Sequence, residues 1–375
     1  MEENLGKIIV SFCIPVYNNA LAAEVIVKEL LSCEDSRFEV IVCDDNSQEN
    51  VEELLTKIHD PRFRYYRNEK NLGAHKNWEH TLELGCGEWL YLIMARDRMH
   101  GDKIPGLIEI LENARKNDIV YLKDGYTQHN GKEIQVFDGM NAMLEFVRII
   151  HPTGDIYDGE KFRNIPNRTR YYENSDMYPE NYVKHYLLLS GKGAYIMSYV
   201  HVFETFYSSL IDFSKMKSGV ESGGNIFNVY FSPKRRMIQN LELIDMIDSD
   251  SRETFTQNER DLFFRTRFNN IMDYATRIWQ MWCSDYLWMA HYGHAVRYVS
   301  SFEMIGNVIT AYKSTKAHLL EKGLFTSTRQ TIMRVNCGKA IAKCILYYPF
   351  KRAVKKIIQT LRLWELLTRI RRKFS

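Results

Sequence analysis

The first 125 residues alternate between two patterns of apolar positions. Short apolar, β-rich runs cover residues 8–14, 38–43, 63–66 and 89–94. Segments in which apolar residues recur every three or four positions lie between them, at residues 21–32, 51–58, 77–84 and 103–116. Strands and helices in alternation, with short connections, are typical of a mostly parallel sheet that is covered on both faces. The sequence therefore predicts an α/β fold.

The remainder of the chain is first irregular and then helical. Residues 119–250 mix short strand candidates with loops rich in Asn, Gly and Pro, whereas residues 257–334 carry apolar residues at helical spacing. We therefore expect three parts: an α/β domain over 1–250, a helical region over 251–338 and a tail over 339–375.

Charge is distributed unevenly along the chain. The net charge is +3, but residues 339–375 contain eleven Lys or Arg and one Glu, so this tail carries +10 and the remainder carries −7. Apolar residues at helical spacing between these bases are typical of an amphipathic helix on an anionic membrane surface. A helix docked on the protein, with its charges in solvent, is the alternative. Because the body is acidic, we do not expect nucleic-acid binding, and binding of nucleic acid by the tail alone is a weaker alternative.

Composition constrains the class of protein and its compartment. Hydrophobic residues make up 45% of the chain and charged residues 26%, which excludes a largely disordered protein. The seven cysteines show no metal-ligand spacing, and no apolar run is long enough to span a bilayer. We therefore expect a cytoplasmic protein that lies peripherally at the inner face of the cell membrane.

Three polar clusters follow the predicted strands, at residues 15–19, 44–47 and 95–98. Ligands of open α/β sheets bind beyond the carboxyl ends of the strands. The sequence therefore predicts a binding site formed by these three clusters.

Four segments carry a resemblance to a known family: residues 11–18, 39–47, 71–77 and 87–98. In order, spacing and placement they resemble the inverting family 2 glycosyltransferases, which have the Rossmann-like GT-A fold. The resemblance covers about the first 125 residues. It implies transfer of a sugar from a nucleotide-diphosphate donor, expected to be a UDP-sugar, to a hydroxyl group.

The resemblance implies roles for residues in the three clusters. It assigns the nucleotide to a turn at Pro15, Tyr17 and Asn18 and to the carboxylate of Asp45, with Asp44 as its neighbour. For Asp44, a role as a helix cap or turn residue is the alternative. Three further positions belong to the predicted nucleotide site: Asn71, Ala95 and Arg96.

The chain departs from the family at its metal motif. Family members have an Asp-x-Asp sequence that holds Mn²⁺ or Mg²⁺ against the diphosphate, whereas this chain has Ala95-Arg96-Asp97. The resemblance leaves Asp97 as the metal ligand. Three explanations stay open: a natural, tolerant site in which Arg96 and Arg98 partly replace the cation, an engineered alanine, or a relative that binds without catalysing.

An inverting transfer needs a general base, and the family places an acid at the start of a helix, eleven positions before a glycine. Glu180 stands eleven positions before Gly191 and is the predicted base, with Asp176 as runner-up. The alternative for Glu180 is an acid favoured by the helix dipole in the first turn, after Pro179.

Other polar residues are candidates for contacts with the acceptor or the diphosphate. His151 lies in a polar turn before Asp155, and three bases follow the glycine-bearing loop 214–224: Lys234, Arg235 and Arg236. A structural histidine and a solvated basic run are the alternatives.

These patterns together predict a glycosyltransferase that acts on a surface glycan or a lipid-linked saccharide. A non-catalytic nucleotide-sugar-binding or scaffold protein is the alternative. A nucleotidyltransferase is disfavoured because residues 15–20 do not form a Gly-rich phosphate loop.

Overall fold

The computed structural model describes residues 7–124, 134–148, 151–169, 179–196, 201–202, 232–284 and 296–348. The chain divides into two compact units, one of residues 1–223 with 253–255 and one of residues 224–252 with 256–375. The helix Pro233–Ser249 belongs to the second unit. The division thus falls near residue 224, whereas the sequence placed it at 250.

The first unit is built on an eight-stranded mixed sheet. Its strands are β1 Val10–Val16, β2 Phe38–Asp44, β3 Phe63–Arg67, β4 Trp89–Leu92, β6 Ile119–Asp124, β7 Ile134–Phe137, β8 Asp155–Asp158 and β9 Lys192–Ile196. Across the sheet their order is β3-β2-β1-β4-β8-β6-β9-β7. A two-stranded ladder joins β5 Arg98–Met99 to β10 His201–Val202.

Most neighbouring strands of the large sheet are parallel. β1 pairs in parallel with β2 and β4, β2 pairs with β3, and β6 pairs with β9. β8 is antiparallel to β4 and β6, and β7 is antiparallel to β9. β1, β2 and β4 are buried along their whole length, which explains their continuous apolar sequence. The predicted α/β fold, a mostly parallel sheet flanked by helices, is confirmed.

Helices alternate with the strands. They are α1 Ala20–Leu31, α2 Val51–Leu55, α3 Ala74–Glu83, α4 Ile104–Lys116, α5 Gly139–Phe146, α6 Gly159–Arg163 and α7 Glu180–Leu188. α1 and α4 pack apolar residues such as Ile26 and Leu107 into one core with strand residues such as Phe12. This packing fixes the sheet edge at which the polar clusters lie.

The second unit is helical, as the sequence predicted for the C-terminal region. Its helices are α8 Pro233–Ser249, α9 Gln257–Asp273, α10 Trp279–Ser284, α11 Ser301–Glu321 and α12 Ser327–Ala342, with π-helical turns at Tyr274–Ile278 and Lys343–Tyr347. Arg329 is buried and donates to Asp248 at 2.7 and 2.8 Å and to Asp261 at 2.8 Å. α12 runs without a break through residue 338, so the expected start of the tail at 339 lies inside a helix. Within the residues described, no helix is both long and apolar enough to cross a membrane.

Candidate functional site

The turns that follow β1 and β2 are tied to each other. Asn18 has a positive φ of 52° and sits at the end of the first turn. Its backbone N–H donates to Ser47 Oγ at 2.9 Å, and its side-chain oxygen accepts from the N–H of Gln48 at 2.8 Å. Asn tolerates this left-handed backbone better than most residues. The two turns therefore form one preorganised rim beside Pro15, which pairs with Cys43 in the sheet.

Asp44 organises this rim. Its carboxylate accepts from the N–H of Ser47 at 2.9 Å, from the hydroxyl of Tyr65 at 2.9 Å and from the guanidinium of Arg67 at 2.7 Å. The Ser47 hydroxyl also donates to it. With four donors on a fully buried carboxylate, its acceptor capacity is filled. These contacts match the turn role that was the alternative for Asp44.

Asp45 connects the rim to the loop after β3. One carboxylate oxygen accepts from Asn68 Nδ2 at 2.9 Å and from the N–H of Leu72 at 2.8 Å, and the other accepts from the N–H of Gly73 at 2.9 Å. Gly73 has φ 84°, a conformation that favours glycine. Asn71 is exposed, and its side chain also accepts from the Gly73 N–H, at 2.9 Å. The carboxylate thus shapes the segment that contains Asn71.

Asp97 lies after β4 and is held by a residue from a distant turn. The hydroxyl of Thr153 donates to Asp97 Oδ2 and accepts from the N–H of Met94 at 3.1 Å. Asp97 and Thr153 are each 1% exposed. Ala95 belongs to the hydrophobic core of the sheet and is 5% exposed. A carboxylate at position 95 would therefore be desolvated unless a cation accompanied it.

The two arginines beside Asp97 have different surroundings. Arg96 Nη2 lies 3.2 Å from His151 Nε2, which brings two predicted site residues together. Arg98 instead donates from Nε to Glu29 Oε1 at 2.6 Å, and Glu29 also accepts from the N–H of Met99 at 2.9 Å. Arg98 therefore anchors the segment after β4 to α1. Arg96 is the arginine that faces the turn containing His151.

A cluster of buried charges lies behind this turn. Lys123 Nζ donates to the carbonyls of His151 at 3.0 Å and Thr153 at 2.7 Å, and to Asp155 Oδ1 at 2.7 Å. The hydroxyls of Tyr121 and Tyr157 donate to Asp155 at 2.8 and 2.9 Å. Burial works to raise the pKa of Asp155, but the charges of Lys123 and Lys184 hold it below its usual value. Lys123 thereby fixes the turn that supports Asp97.

Glu180 is the first residue of α7 and is fully buried. Within the residues described, neither of its carboxylate oxygens has a hydrogen-bond partner. Burial raises the pKa of Glu180 to about 8, against the opposing positive charge of Lys184. A carboxyl group in this state is suited to exchange a proton near neutral pH.

Comparison with known proteins assigns a family to part of the chain. Residues 11–175 match the model of glycosyl transferase family 2, over the segment that contains the rim, Asp97 and His151. This segment belongs to glycosyl transferase family 2.

Relatives of this family 2 segment align with the chain over short stretches. An uncharacterized protein of Mycobacterium tuberculosis is 32% identical over 111 residues, which cover 30% of this chain and 34% of that protein. An uncharacterized glycosyltransferase of Rickettsia felis is 28% identical over 145 residues, which cover 38% of this chain and 23% of that protein. The matched segment thus spans about a quarter to a third of the length of these two relatives.

Solved structures match over nearly the whole chain. Crystal structures of S. aureus TarS 1-349, alone and in complex with UDP-GlcNAc, are 11% and 12% identical to this chain. Each alignment covers 92% of both chains, with TM-scores of 0.53 and 0.54. At this identity, the likeness shows a shared fold.

The residues at the family 2 metal motif are suited to a cation that is coordinated by the protein and by phosphate oxygens of a ligand together. No group of three or more His, Cys, Asp or Glu residues that could hold a metal occurs among the residues described. Mg²⁺, however, is commonly held by one or two carboxylates together with phosphate oxygens and water. Asp97, buried and oriented by Thr153, is able to supply one such carboxylate.

The predicted residues that remain are Asp176 and three bases of the second unit. Asp176 lies outside the described residues. Lys234, Arg235 and Arg236 begin α8, in the second unit. Arg236 is 3% exposed, and its guanidinium lies 5.1 Å from the centre of the Tyr274 ring, a packing contact within that unit. Their assignment to the diphosphate stays a prediction.

Sequence reasoning missed several residues that build the site. Asn68, Lys123 and Lys184 were not singled out, and Thr153 and Asp155 were considered only as parts of the polar turn 151–155. For Lys184, a signal was present, because it follows Glu180 by four residues on one helix. For the others, the partners lie 23 to 56 residues apart along the chain, where no local spacing reveals them.

Proposed function

We propose that this chain is an inverting glycosyltransferase that transfers a sugar from a nucleotide-diphosphate donor to a hydroxyl group. The family 2 segment supports the reaction class. UDP is the proposed nucleotide because TarS 1-349, which shares the fold, has been crystallised with UDP and with UDP-GlcNAc. A surface glycan or lipid-linked saccharide is the proposed acceptor.

The observation that carries the proposal is the placement of Asp97 and Glu180 on elements that meet at β6, the strand of Lys123. The hydroxyl of Thr153 donates to Asp97 and its carbonyl accepts from Lys123, and α7, which begins at Glu180, packs against β6. One acid thus lies after β4 and is held by the turn before β8, and the other lies at the start of a helix packed on the same sheet. An acid to anchor the diphosphate and an acid to take a proton are what an inverting transfer requires.

The proposed step uses both acids. The rim at Pro15, Tyr17 and Asn18, together with Asp45, holds the nucleotide. Asp97 would hold Mn²⁺ or Mg²⁺, which supplies positive charge to the diphosphate leaving group. Glu180 takes the proton of the acceptor hydroxyl, the hydroxyl oxygen forms a bond to the anomeric carbon, and the bond from that carbon to the diphosphate breaks. Attack opposite the leaving group inverts the anomeric carbon.

The C-terminal tail supports a peripheral position at a membrane. In its described part, Ile345, Leu346 and Tyr347 are 56%, 70% and 52% exposed. Basic residues around such exposed apolar groups favour an anionic lipid surface, at about 1 kcal/mol for each base near it. Co-sedimentation with vesicles should rise with the fraction of anionic lipid. Equal binding to neutral vesicles would contradict this part of the proposal.

Titration calorimetry of UDP with and without Mn²⁺ tests the donor site. The wild-type protein should bind UDP more tightly with Mn²⁺, and Asp97→Asn should lose that gain while still binding UDP alone. Ala95→Asp measures how much affinity for UDP with Mn²⁺ is lost because the first acid of the motif is missing. Metal-dependent binding only in Ala95→Asp would favour the non-catalytic alternative, which the apolar surroundings of Ala95 support. The absence of UDP binding in every variant would refute the donor assignment.

A further inference from the structure

The helical unit carries a polar groove between α9 and α12. Its volume is about 310 Å³, roughly that of ten water molecules, which is enough for a ligand of the size of glycerol phosphate. Helix α9 and the π-helical turn after it form one wall, and α12 and the π-helical turn after it form the other. The polar and charged residues that line the groove are Asn269, Asp273, Thr276, Asn336, Lys339 and Lys343.

Positive charge predominates among the groups that line the groove. Lys339 and Lys343 are exposed, stand four residues apart on one helical face and take part in no ion pair among the residues described. Two like charges at this spacing repel each other. Among the described lining residues the one acid is Asp273, and it lies 3.9 Å from the guanidinium of Arg277, so its charge is already opposed. An anion between the two ammonium groups would remove their repulsion.

The wall formed by α12 also holds a hydrogen-bond donor without an acceptor. The amide nitrogen of Asn336 is buried and, within the described part of the chain, has no hydrogen-bond partner. A buried donor in this state carries a desolvation cost. The terminal torsion of asparagine is broad, so rotation of the amide can present this nitrogen to a ligand in the groove. The groove thus offers two ammonium groups and one amide donor to an oxyanion such as a phosphate.

Both walls of the groove lead directly into an apolar cluster. Thr276 lies on the turn that leads to Trp279, and Lys343 is followed at once by Cys344. Trp279 and Cys344 pack in one cluster with Val299, which precedes α11. The start of α11 and the turn after α12 are therefore neighbours beside the groove.

Large apolar side chains are exposed around this cluster. Phe302 and Tyr298, on either side of Val299 and the start of α11, are 88% and 65% exposed, and Leu346 is exposed on the turn of Cys344. Exposed aromatic and aliphatic side chains beside basic residues are typical of a surface that enters the interface of a bilayer. The apolar surface beside the groove consists of Tyr298, Phe302, Ile345, Leu346 and Tyr347.

The charge of the chain favours a lipid over a second copy of the protein as the occupant of this surface. Of the eleven bases among residues 339–375, Lys339 and Lys343 line the groove and the other nine follow Tyr348. A symmetric dimer joins the same patch of two subunits, so it would bring these two lysines of both copies together. An anionic bilayer instead opposes them with negative charge.

We propose that the groove between α9 and α12 binds the phosphate of an anionic lipid headgroup while the apolar surface beside it enters the bilayer. Lys339 and Lys343 pair with the phosphate, and Asn336 donates to it. This inference rests on the proposed peripheral position at a membrane. It gives the helical unit a lipid contact of its own, in addition to the basic residues that follow Tyr348.

Vesicle binding by variants of the whole chain tests the groove. Vesicles of phosphatidylcholine alone are compared with vesicles that also contain phosphatidylglycerol. Lys339→Gln combined with Lys343→Gln should weaken binding to the anionic vesicles about 30-fold, at about fivefold for each base. Asn336→Ala changes no charge and should weaken it about tenfold. Lys103→Gln combined with Lys116→Gln is the matched control, because it removes two exposed lysines of the first unit, and it should leave binding unchanged.

Phe302→Ser tests the apolar surface separately. The loss of a phenyl group that enters the bilayer should weaken binding to the anionic vesicles about tenfold or more. Leu21→Ser is the matched control, because Leu21 is also exposed but lies on α1 in the first unit. Both positions are on the surface, so both variants are expected to fold.

The outcomes separate this inference from the membrane proposal. Unchanged affinity of the groove double variant for anionic vesicles would overturn the headgroup site, even where the wild type prefers anionic vesicles and the membrane proposal stands. An equal loss in the control pair Lys103→Gln and Lys116→Gln would also overturn it, because net charge alone then accounts for binding.

Two further measurements test the occupant. A wild-type dimer in sedimentation velocity that Phe302→Ser dissociates would assign the apolar surface to a second copy and overturn the lipid contact. Tighter binding of soluble glycerol 3-phosphate than of anionic vesicles, compared at equal phosphate concentration, would assign the groove to a soluble phosphate instead. We expect a wild-type monomer that binds the vesicles more tightly.

Discussion

Burial of Glu180 has a consequence for stability that does not depend on any substrate. The pKa of this acid is raised by burial from its ordinary value near 4.5 to about 8. The folded protein therefore keeps the proton on Glu180 between about pH 4.5 and pH 8, whereas the unfolded chain loses it. The stability that the neutral group provides is fully present below pH 4.5 and is lost as the pH rises through 8.

The magnitude follows from the size of this pKa difference. Each pH unit within that window costs about 1.4 kcal/mol of unfolding free energy, so the whole window is worth about 5 kcal/mol. Glu180→Gln replaces the neutral acid by a neutral amide of the same shape. Its stability advantage over the wild type should grow from about 1 kcal/mol at pH 5 to about 5 kcal/mol at pH 9.

Urea unfolding at a series of pH values, followed by fluorescence, measures this difference. Glu109→Gln is the matched control, because Glu109 is exposed on α4 and its substitution should give no advantage that grows with pH. A Glu180→Gln advantage that stays constant from pH 5 to pH 9 would refute the account of a buried, proton-bearing Glu180.

Two further substitutions test other parts of the structure. Thr153→Val removes the hydroxyl that donates to Asp97, so the affinity for UDP with Mn²⁺ should fall about 10- to 100-fold in calorimetry; an unchanged affinity would remove Thr153 from the site. Arg329→Met removes the buried arginine that donates to Asp248 and Asp261. The unfolding free energy of the second unit should fall by about 3–5 kcal/mol. A loss below about 1 kcal/mol would contradict the importance of this ion-pair network.

The strands β1, β2 and β4 were predictable because they are buried on both faces. Residues 38–43 were expected as a strand, and the strand found is Phe38–Asp44. β8, Asp155–Asp158, was not predicted, since two of its four residues are acids. Those acids are buried because Lys123 pairs with Asp155 and because Asp158 caps α6. A strand that owes its burial to ion pairing has no apolar pattern to reveal it.

The sequence predicted those parts of the candidate site that lie directly after a strand, because the end of the strand determines where they lie. The turns after β1, β2 and β4 lie at one edge because parallel strands share a direction, and Asp97 and His151 meet there through Thr153 and Arg96. The hydrogen bonds of Asp45 were not predictable, because they depend on the path of the loop after β3. Local spacing carries no information about such contacts.

Donor turnover by Glu180→Gln, compared with the wild type, tests whether Glu180 is the base of a glycosyl transfer. UDP release from a set of UDP-sugars would be followed in the presence of Mn²⁺ and a lipid-linked saccharide fraction. We expect turnover by the wild-type protein and its loss in Glu180→Gln, with UDP binding retained in both. Equal turnover by the two proteins would contradict the assignment of Glu180 as the base. UDP binding without turnover by either protein would instead favour a nucleotide-sugar-binding protein that does not catalyse transfer.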